Sequence, residues 1–122
     1  MHHDTLISLM SFQQQVRIFH WQTTKFSRHK AYDEVYESLD GFIDEIAEIC
    51  MGKYGRIEVP DGCSIQLKNM SDVSLNDFLN DFCDFLIGLA DVFDPKKDSD
   101  VLNIRDEILG QINKLKYLLT LS

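Results

Sequence analysis

Apolar residues recur at steps of three and four in four stretches of the chain, which is the spacing of one face of an α-helix. We name these predicted helices A, B, C and D; they span about residues 4–22, 29–51, 74–93 and 98–121. Their apolar stripes are Leu6, Leu9, Met10, Phe12, Val16 and Phe19; Ala31, Val35, Leu39, Phe42, Ile43, Ile46 and Ile49; Leu75, Phe78, Leu79, Phe82, Leu86, Leu89, Ala90 and Phe93; and Val101, Ile104, Ile108, Ile112, Leu115 and Leu119. The pattern predicts one all-α domain over residues 1–122, with helices of about 19 to 23 residues.

The connections between these stretches predict how the helices are arranged. A short polar segment, residues 23–28, joins helices A and B, so we expect these helices to be antiparallel neighbours. Gly52 and Gly55 are predicted to end helix B. Between residues 54 and 73 no helical period survives, which predicts a short extra helix or a crossover. The expected architecture is a four-helix bundle with a long connection between helices B and C.

Composition and charge narrow the classes of partner. The net charge is −8 and no basic tail is present, which argues against binding to nucleic-acid phosphates and favours cations. No apolar run is long enough to span a bilayer, and the first residues lack the features of a secretion signal. The three cysteines form no zinc or disulfide pattern and are expected as free thiols in a reducing compartment. We therefore expect a cytoplasmic protein.

A row of ligand-type residues follows one side of helix B, next to its apolar stripe. At about 100° per residue, the members of this row stay within roughly a quarter-turn of one another. They are His29, Asp33, Asp40, Asp44 and Glu48. Taken alone, the row is either a solvated acidic flank or a set of metal ligands.

The spacing within the row favours a site shared between two chains. His29 and Asp33 are one turn apart, as are Asp44 and Glu48, but the two pairs are separated by roughly 22 Å along the helix. An antiparallel pair of B helices that cross near Ser38 to Gly41 would bring the two kinds of pair together, twice per two-fold dimer. Carboxylates with one or two imidazoles suit Fe(II), Mn(II) or Zn(II). The sequence has no Glu-x-x-His, so a di-iron centre inside one chain is not expected.

The same residues carry a resemblance to a known family. The chain has FHWQ at residues 19–22, then His29-x3-Asp33, then Asp44-x3-Glu48. This order resembles the mini-ferritins of the Dps type (DNA-binding protein from starved cells). In that family a His-Trp ends the first helix, and His-x3-Asp and Asp-x3-Glu follow on the second helix at this same spacing. The chain is also similar to short Dps-like proteins of phages and other viruses.

The resemblance implies a ferritin-like four-helix bundle with its ferroxidase site at a two-fold interface. The iron ligands that it implies are His20, His29 and Asp33 of one chain with Asp44 and Glu48 of the partner. Trp21 would lie beside this site. The family forms hollow dodecameric shells that take up Fe(II), oxidise it with peroxide or dioxygen, and store ferric mineral.

Two hypotheses about function follow. The first is a ferroxidase that binds, oxidises and sequesters iron, with Mn or Zn as other metals for the same site, and so limits oxidative damage. The alternative is a non-catalytic Dps-like assembly or structural protein of viral type, with a degenerate metal site. The chain begins without the lysine-rich extension that binds DNA in some members of the family, so we do not expect DNA as a partner. For a viral protein the expected location is the host cytoplasm.

Overall fold

The computed structural model describes residues 2–121, which fold into a helical bundle with no β-strand in that range. The four α-helices are α1 (His3–Gln22), α2 (Phe26–Tyr54), α3 (Leu75–Gly88) and α4 (Ser99–Leu119). Two short 3-10 helices cover Met70–Asp72 and Leu89–Asp91. The predicted all-α class is thus confirmed, and the ferritin-like identity of the bundle stays a prediction.

Helix α2 is longer at both ends than the sequence predicted. It begins at Phe26, which leaves only residues 23–25 to connect it to α1. Gly52 does not end it, because glycine is tolerated inside a helix at a moderate cost. Gly55 does end it: its φ of 90° lies in the left-handed region that favours glycine, and its N–H donates to the carbonyl of Met51. The 29 residues of α2 form one unbroken helix, so all members of the ligand row lie on one rigid element.

Helix α3 is shorter than predicted, since it ends at Gly88 rather than near Asp94. The guanidinium of Arg105 on α4 donates to the carbonyl oxygens of Leu86 (2.8 Å) and Ile87 (3.4 Å). It thereby supplies partners for two carbonyls that a helix end leaves open. The tighter 3-10 turn that follows keeps Leu89 and Phe93 buried, which is why the apolar spacing continued past the end of the helix.

The core is built from the predicted apolar stripes of the four helices. Helix α1 packs on α2, α2 packs on α4, and α3 packs on α4. The ring of Phe12 on α1 stacks on those of Phe82 (centroids 3.6 Å apart) and Phe78 (4.9 Å) on α3. Met10, which was assigned to the apolar stripe of helix A, is instead 39% exposed on the outer side.

A strap, residues 55–69, connects α2 to α3 along the side of α1. Its first part borders the start of α1, where Pro60 and Cys63 line a depression with His3. Further along, the buried side chain of Gln15 accepts from the N–H of Lys68 (2.9 Å) and donates to its carbonyl (2.8 Å). The strap therefore runs from the beginning of α1 towards its end, and α3 starts near the end of α1.

At the other end of the bundle, a polar cluster joins α2 to the start of α4. We call it the Asp98 junction; it consists of Lys53, Tyr54, Asp94, Asp98 and Asp100. The buried carboxylate of Asp98 accepts from the hydroxyl of Tyr54, from Nζ of Lys53 (3.3 Å) and from the backbone N–H of Asp94 (2.9 Å). These donors, the Tyr54 hydroxyl first, hold the pKa of Asp98 below its ordinary value.

Candidate metal centre

His20 and His29 face each other across the short connection between α1 and α2. Nδ1 of His20 lies 2.7 Å from the carbonyl oxygen of His29, and Nδ1 of His29 lies 2.8 Å from the carbonyl oxygen of His20. The two rings stack with centroids 3.8 Å apart and planes 17° from parallel. Beneath them, the buried rings of Phe19 and Tyr32 pack 5.7 Å apart and fix the two helices at this end.

These reciprocal hydrogen bonds determine which ring nitrogens can bind a metal. A carbonyl oxygen only accepts, so Nδ1 carries the proton in both His20 and His29. In the neutral rings Nε2 is then the atom with a free lone pair. Histidine ligands of metals typically donate their other ring N–H in this way, which fixes the tautomer and the ring orientation. The pair thus has the arrangement of two imidazoles prepared for coordination.

Asp33 supplies a carboxylate next to the histidine pair. Its Oδ1 lies 4.0 Å from Nε2 of His20, and its side chain is half exposed. Two ligand atoms of a tetrahedral ion with bonds of about 2.0 to 2.2 Å are roughly 3.3 to 3.6 Å apart, so a small rotation of the half-exposed Asp33 side chain would bring both atoms to one ion. His20, His29 and Asp33, three of the five predicted ligands, therefore lie together at one end of the α1–α2 pair.

A small cavity of about 150 Å³ opens beside His20 and Asp33. Arg17 forms one wall: its guanidinium lies 5.0 Å from the ring centroid of Trp21 and 5.1 Å from that of Tyr36, and it donates to the Tyr36 hydroxyl (3.1 Å). Trp21 is 62% exposed, so it borders the cavity rather than packing in the core. Arg17 and Tyr36 were not among the predicted site residues. Their positions at helical spacing from His20 and Asp33 were the only signal in the sequence.

Asp40 continues the ligand row but has a partner within the chain. Nε2 of the buried Gln13 donates to its Oδ1 (3.1 Å) and to the carbonyl oxygen of Tyr36 (3.3 Å). This contact ties Asp40 to α1. Gln13 was missed from the sequence because a glutamine between apolar positions gives no sign of the helix it will face.

Asp44 and Glu48, the other two predicted ligands, are exposed on α2 and are not brought to the histidine pair. Eleven residues of continuous helix separate Asp33 from Asp44, which is roughly 16 Å. Within residues 2–121, no three His, Cys, Asp or Glu side chains are placed to hold a metal ion inside one chain. A single chain therefore presents half of the predicted site.

A larger cavity, of about 530 Å³, lies at the opposite end, beside the Asp98 junction. Its walls include His2, Cys50, Tyr54, Arg56 and Glu58. Burial raises the pKa of the Cys50 thiol, which disfavours the thiolate that would bind a metal or act as a nucleophile. The ring of His2 stacks on a core phenylalanine, so this end is organised by packing.

The fold and the histidine pair define a small helical-bundle protein with two imidazoles and a carboxylate at one end of α1 and α2. None of the helices within residues 2–121 has both the length and the apolar stretch that crossing a membrane requires. The chain belongs to DUF5856, a family of unknown function whose profile matches residues 20–119. The matched region contains all five predicted ligands.

One curated relative is found in a phage. The chain is similar to the "Uncharacterized 14.6 kDa protein in mobD-ri intergenic region" of Enterobacteria phage T4, with 25% identity over 116 residues. The similarity covers 93% of this chain and 83% of that protein. No solved structure matches the chain. The relationship to a small phage protein fits the expected similarity to phage proteins, and the Dps-like identity stays a prediction.

Proposed function

We propose that the protein is a Dps-like mini-ferritin that binds Fe(II) at sites shared between two copies, oxidises it and sequesters the product. The observation that carries this proposal is the reciprocal bonding of His20 and His29, which leaves Nε2 of each neutral ring available for a metal. The carboxylate of Asp33 lies within reach of the same ion as His20.

The partner would complete each site with Asp44 and Glu48. Both side chains are exposed, and they lie one turn apart on the same arc of α2 as Asp33. A two-fold axis near Ser38 to Gly41 would place them against the histidine end of the other copy. A Cβ added at Gly41 would meet nothing within 4 Å in this chain, so the surface there is open to a close helix crossing.

The chemistry follows from this donor set. Carboxylates and imidazoles with open positions bind Fe(II) as substrate. The negative charge of the carboxylates stabilises Fe(III) further. Each Fe(II) gives up one electron, and peroxide or dioxygen accepts it. The Arg17 guanidinium, held between Trp21 and Tyr36, borders the cavity beside the site. We infer that this occurs in the host cytoplasm, and that a dodecameric shell would hold the mineral.

The test is an anaerobic Fe(II) titration of the purified protein, followed by peroxide or air. The proposal expects saturation at about one to two irons per chain and then the absorbance of Fe(III). Two variants probe the two halves of the site: His29→Ala and Glu48→Ala should each abolish binding while the helical circular dichroism is retained. Glu107→Ala, which removes an exposed carboxylate of α4, is the matched control and should bind as the wild type does.

The alternative function is a non-catalytic helical assembly protein of phage type. The described residues of one chain hold no complete ligand set, which is compatible with this alternative and equally with a site shared between two copies. A folded wild type that forms a stable oligomer and ignores Fe(II) would establish this alternative and overturn the ferroxidase proposal.

A further inference from the structure

The face of α2 that carries the proposed site is strongly and uniformly acidic. Residues 33–48 contain seven carboxylates and no lysine or arginine. They are Asp33, Glu34, Glu37, Asp40, Asp44, Glu45 and Glu48. All are exposed except the half-exposed Asp33, and five share the arc of the ligand row, whereas Glu34 and Glu45 lie roughly 100° to 120° round the helix from Asp33. Two copies that met along this face would set one such row against another.

The chain itself offers little positive charge to offset this row. On the side of the row that faces α1, Arg17 lines the cavity that Asp33 and Glu37 also line. The guanidinium of Arg17 already contacts the Tyr36 hydroxyl and the Trp21 ring.

Like charges brought together at an interface cost several kcal/mol. The pairing that sets His29 against the partner's Glu48 also brings Lys30 near that carboxylate, so one lysine at each end opposes the seven carboxylates of each row. The metal-free faces therefore repel each other.

Divalent cations at the proposed sites would remove this repulsion where it is strongest. Each shared site would combine the carboxylate of Asp33 with those of Asp44 and Glu48 of the partner, that is, three negative charges. One divalent ion leaves each site with a net charge of about −1, and a second ion at the same site would make the net charge about +1. Because a dimer has two such sites, both ends of the contact would be neutralised together.

We propose that a second copy of this chain docks on the acidic face of α2 in response to divalent metal, so that loading of the sites drives assembly. This inference rests on the proposed function and adds its regulation. A ligand that binds only the associated state shifts association by mass action, and the coupling is reciprocal. The chain is then monomeric when metal is scarce and assembles its own iron site when metal is abundant.

The experiment measures mass and metal binding in parallel. Sedimentation velocity of the purified chain would be run in EDTA, in Mn²⁺ as a probe that is not oxidised by air, and in matched NaCl as a control for general screening. The inference expects a shift from monomer to dimer with Mn²⁺, a drop of at least about tenfold in the dimer dissociation constant, and a smaller effect of NaCl.

Two variants make the test specific to the acidic face. Asp44→Asn with Glu48→Gln removes charge at nearly constant shape, so it should dimerise more readily than the wild type in EDTA and lose the response to Mn²⁺. Asp84→Asn with Glu107→Gln removes the same charge from exposed positions on α3 and α4, and it should behave as the wild type does. Gly41→Trp should block association with Mn²⁺, whereas Gly110→Trp, at an equally open glycine of α4, should not.

The outcomes separate this inference from the proposed function. If calorimetry shows Mn²⁺ binding and the chain is a dimer in both EDTA and Mn²⁺, the inference is wrong and the shared site stands. If the chain binds Mn²⁺ and stays a monomer, both the inference and the shared site are wrong. If the wild type binds no Mn²⁺ and no Fe(II), both are wrong. If Mn²⁺ dimerises the Asp44→Asn/Glu48→Gln variant as well as the wild type, the contact lies elsewhere and the inference fails.

Discussion

His20 and His29 each donate a ring N–H to the other's backbone carbonyl, at 2.7 and 2.8 Å, so each residue fixes the orientation of the other. The prediction is that both neutral imidazoles are Nδ1–H tautomers, whereas a free histidine favours the other form. Two-bond ¹H–¹⁵N correlation spectra of the rings at neutral pH measure this directly. The metal-free protein suffices, so the result does not depend on iron chemistry.

The matched variants for this measurement are His20→Ala and His29→Ala. Removing either ring removes only the hydrogen bond that this ring donates, because the backbone carbonyl that accepts from the other ring is retained in alanine. The remaining ring should therefore keep its Nδ1–H tautomer. An Nε2–H tautomer for either ring in the wild type would contradict the assignment and with it the availability of Nε2 for a metal.

A second prediction concerns the Asp98 junction. Asp98→Ala removes the acceptor shared by Tyr54, Lys53 and the N–H of Asp94, and it should lower the free energy of unfolding by about 2 kcal/mol. Urea unfolding followed by circular dichroism measures the change. Asp84→Ala, an exposed aspartate of α3, is the control and should change stability by less than about 0.5 kcal/mol. Equal midpoints for the two variants would rule out a structural role for the junction.

The third prediction is the acid dependence of stability. Backbone N–H groups of Lys97 and Lys96 lower the pKa of Asp94, and the Lys53 ammonium lowers that of Asp100. Asp98 is lowered too, chiefly by Tyr54. A lowered folded-state pKa contributes stability that is present above the ordinary value of 3.8 and is lost as the pH falls through the folded value.

The measured quantity is the urea midpoint from pH 7 to pH 3. It should stay nearly constant down to about pH 5 and fall below about pH 4. The difference between the wild type and Asp98→Asn should shrink over the same interval, since protonation of Asp98 removes part of what the variant lacks. A difference that grows as the pH falls would contradict the direction of the Asp98 shift.

The fourth prediction concerns the attachment of the strap. Gln15→Ala removes both hydrogen bonds to the backbone of Lys68, so amide exchange at Lys68 should accelerate by at least about tenfold while the core of α2 is unchanged. Gln14→Ala, the neighbouring and more exposed glutamine, is the control. Unchanged exchange at Lys68 in the Gln15 variant would show that the strap is held by other contacts.

The sequence predicted the four helices because their apolar residues repeat at helical spacing over many turns. It did not predict where α3 ends, since the carbonyls of Leu86 and Ile87 are satisfied by Arg105, which lies 18 residues or more further along the chain. The Asp98 junction was missed for the same reason: Tyr54 and Asp98 are 44 residues apart. Gly52 and Gly55 looked equivalent as stop signals, and only the left-handed backbone of Gly55 distinguishes them.

For the site, spacing and resemblance together selected His20, His29 and Asp33, and the structure places these three side chains at one end of α1 and α2. The reciprocal hydrogen bonds between the histidines could not be predicted, because they depend on how the three-residue connection turns. Arg17 and Gln13 could not be predicted as neighbours of the ligand row either, since their partners lie on the other helix. The ligand role of Asp44 and Glu48 stays a prediction, because it depends on a second copy.

The most direct test of the shared site is complementation between two inactive variants. His20→Ala/His29→Ala lacks the histidine half, and Asp44→Ala/Glu48→Ala lacks the acidic half. Each alone should bind no Fe(II). When the two are co-expressed and purified together, a mixed dimer has one fully intact site and one doubly broken site, so random pairing should restore about a quarter of the wild-type binding. No restored binding in a mixture shown to contain mixed dimers would contradict a site shared between two copies.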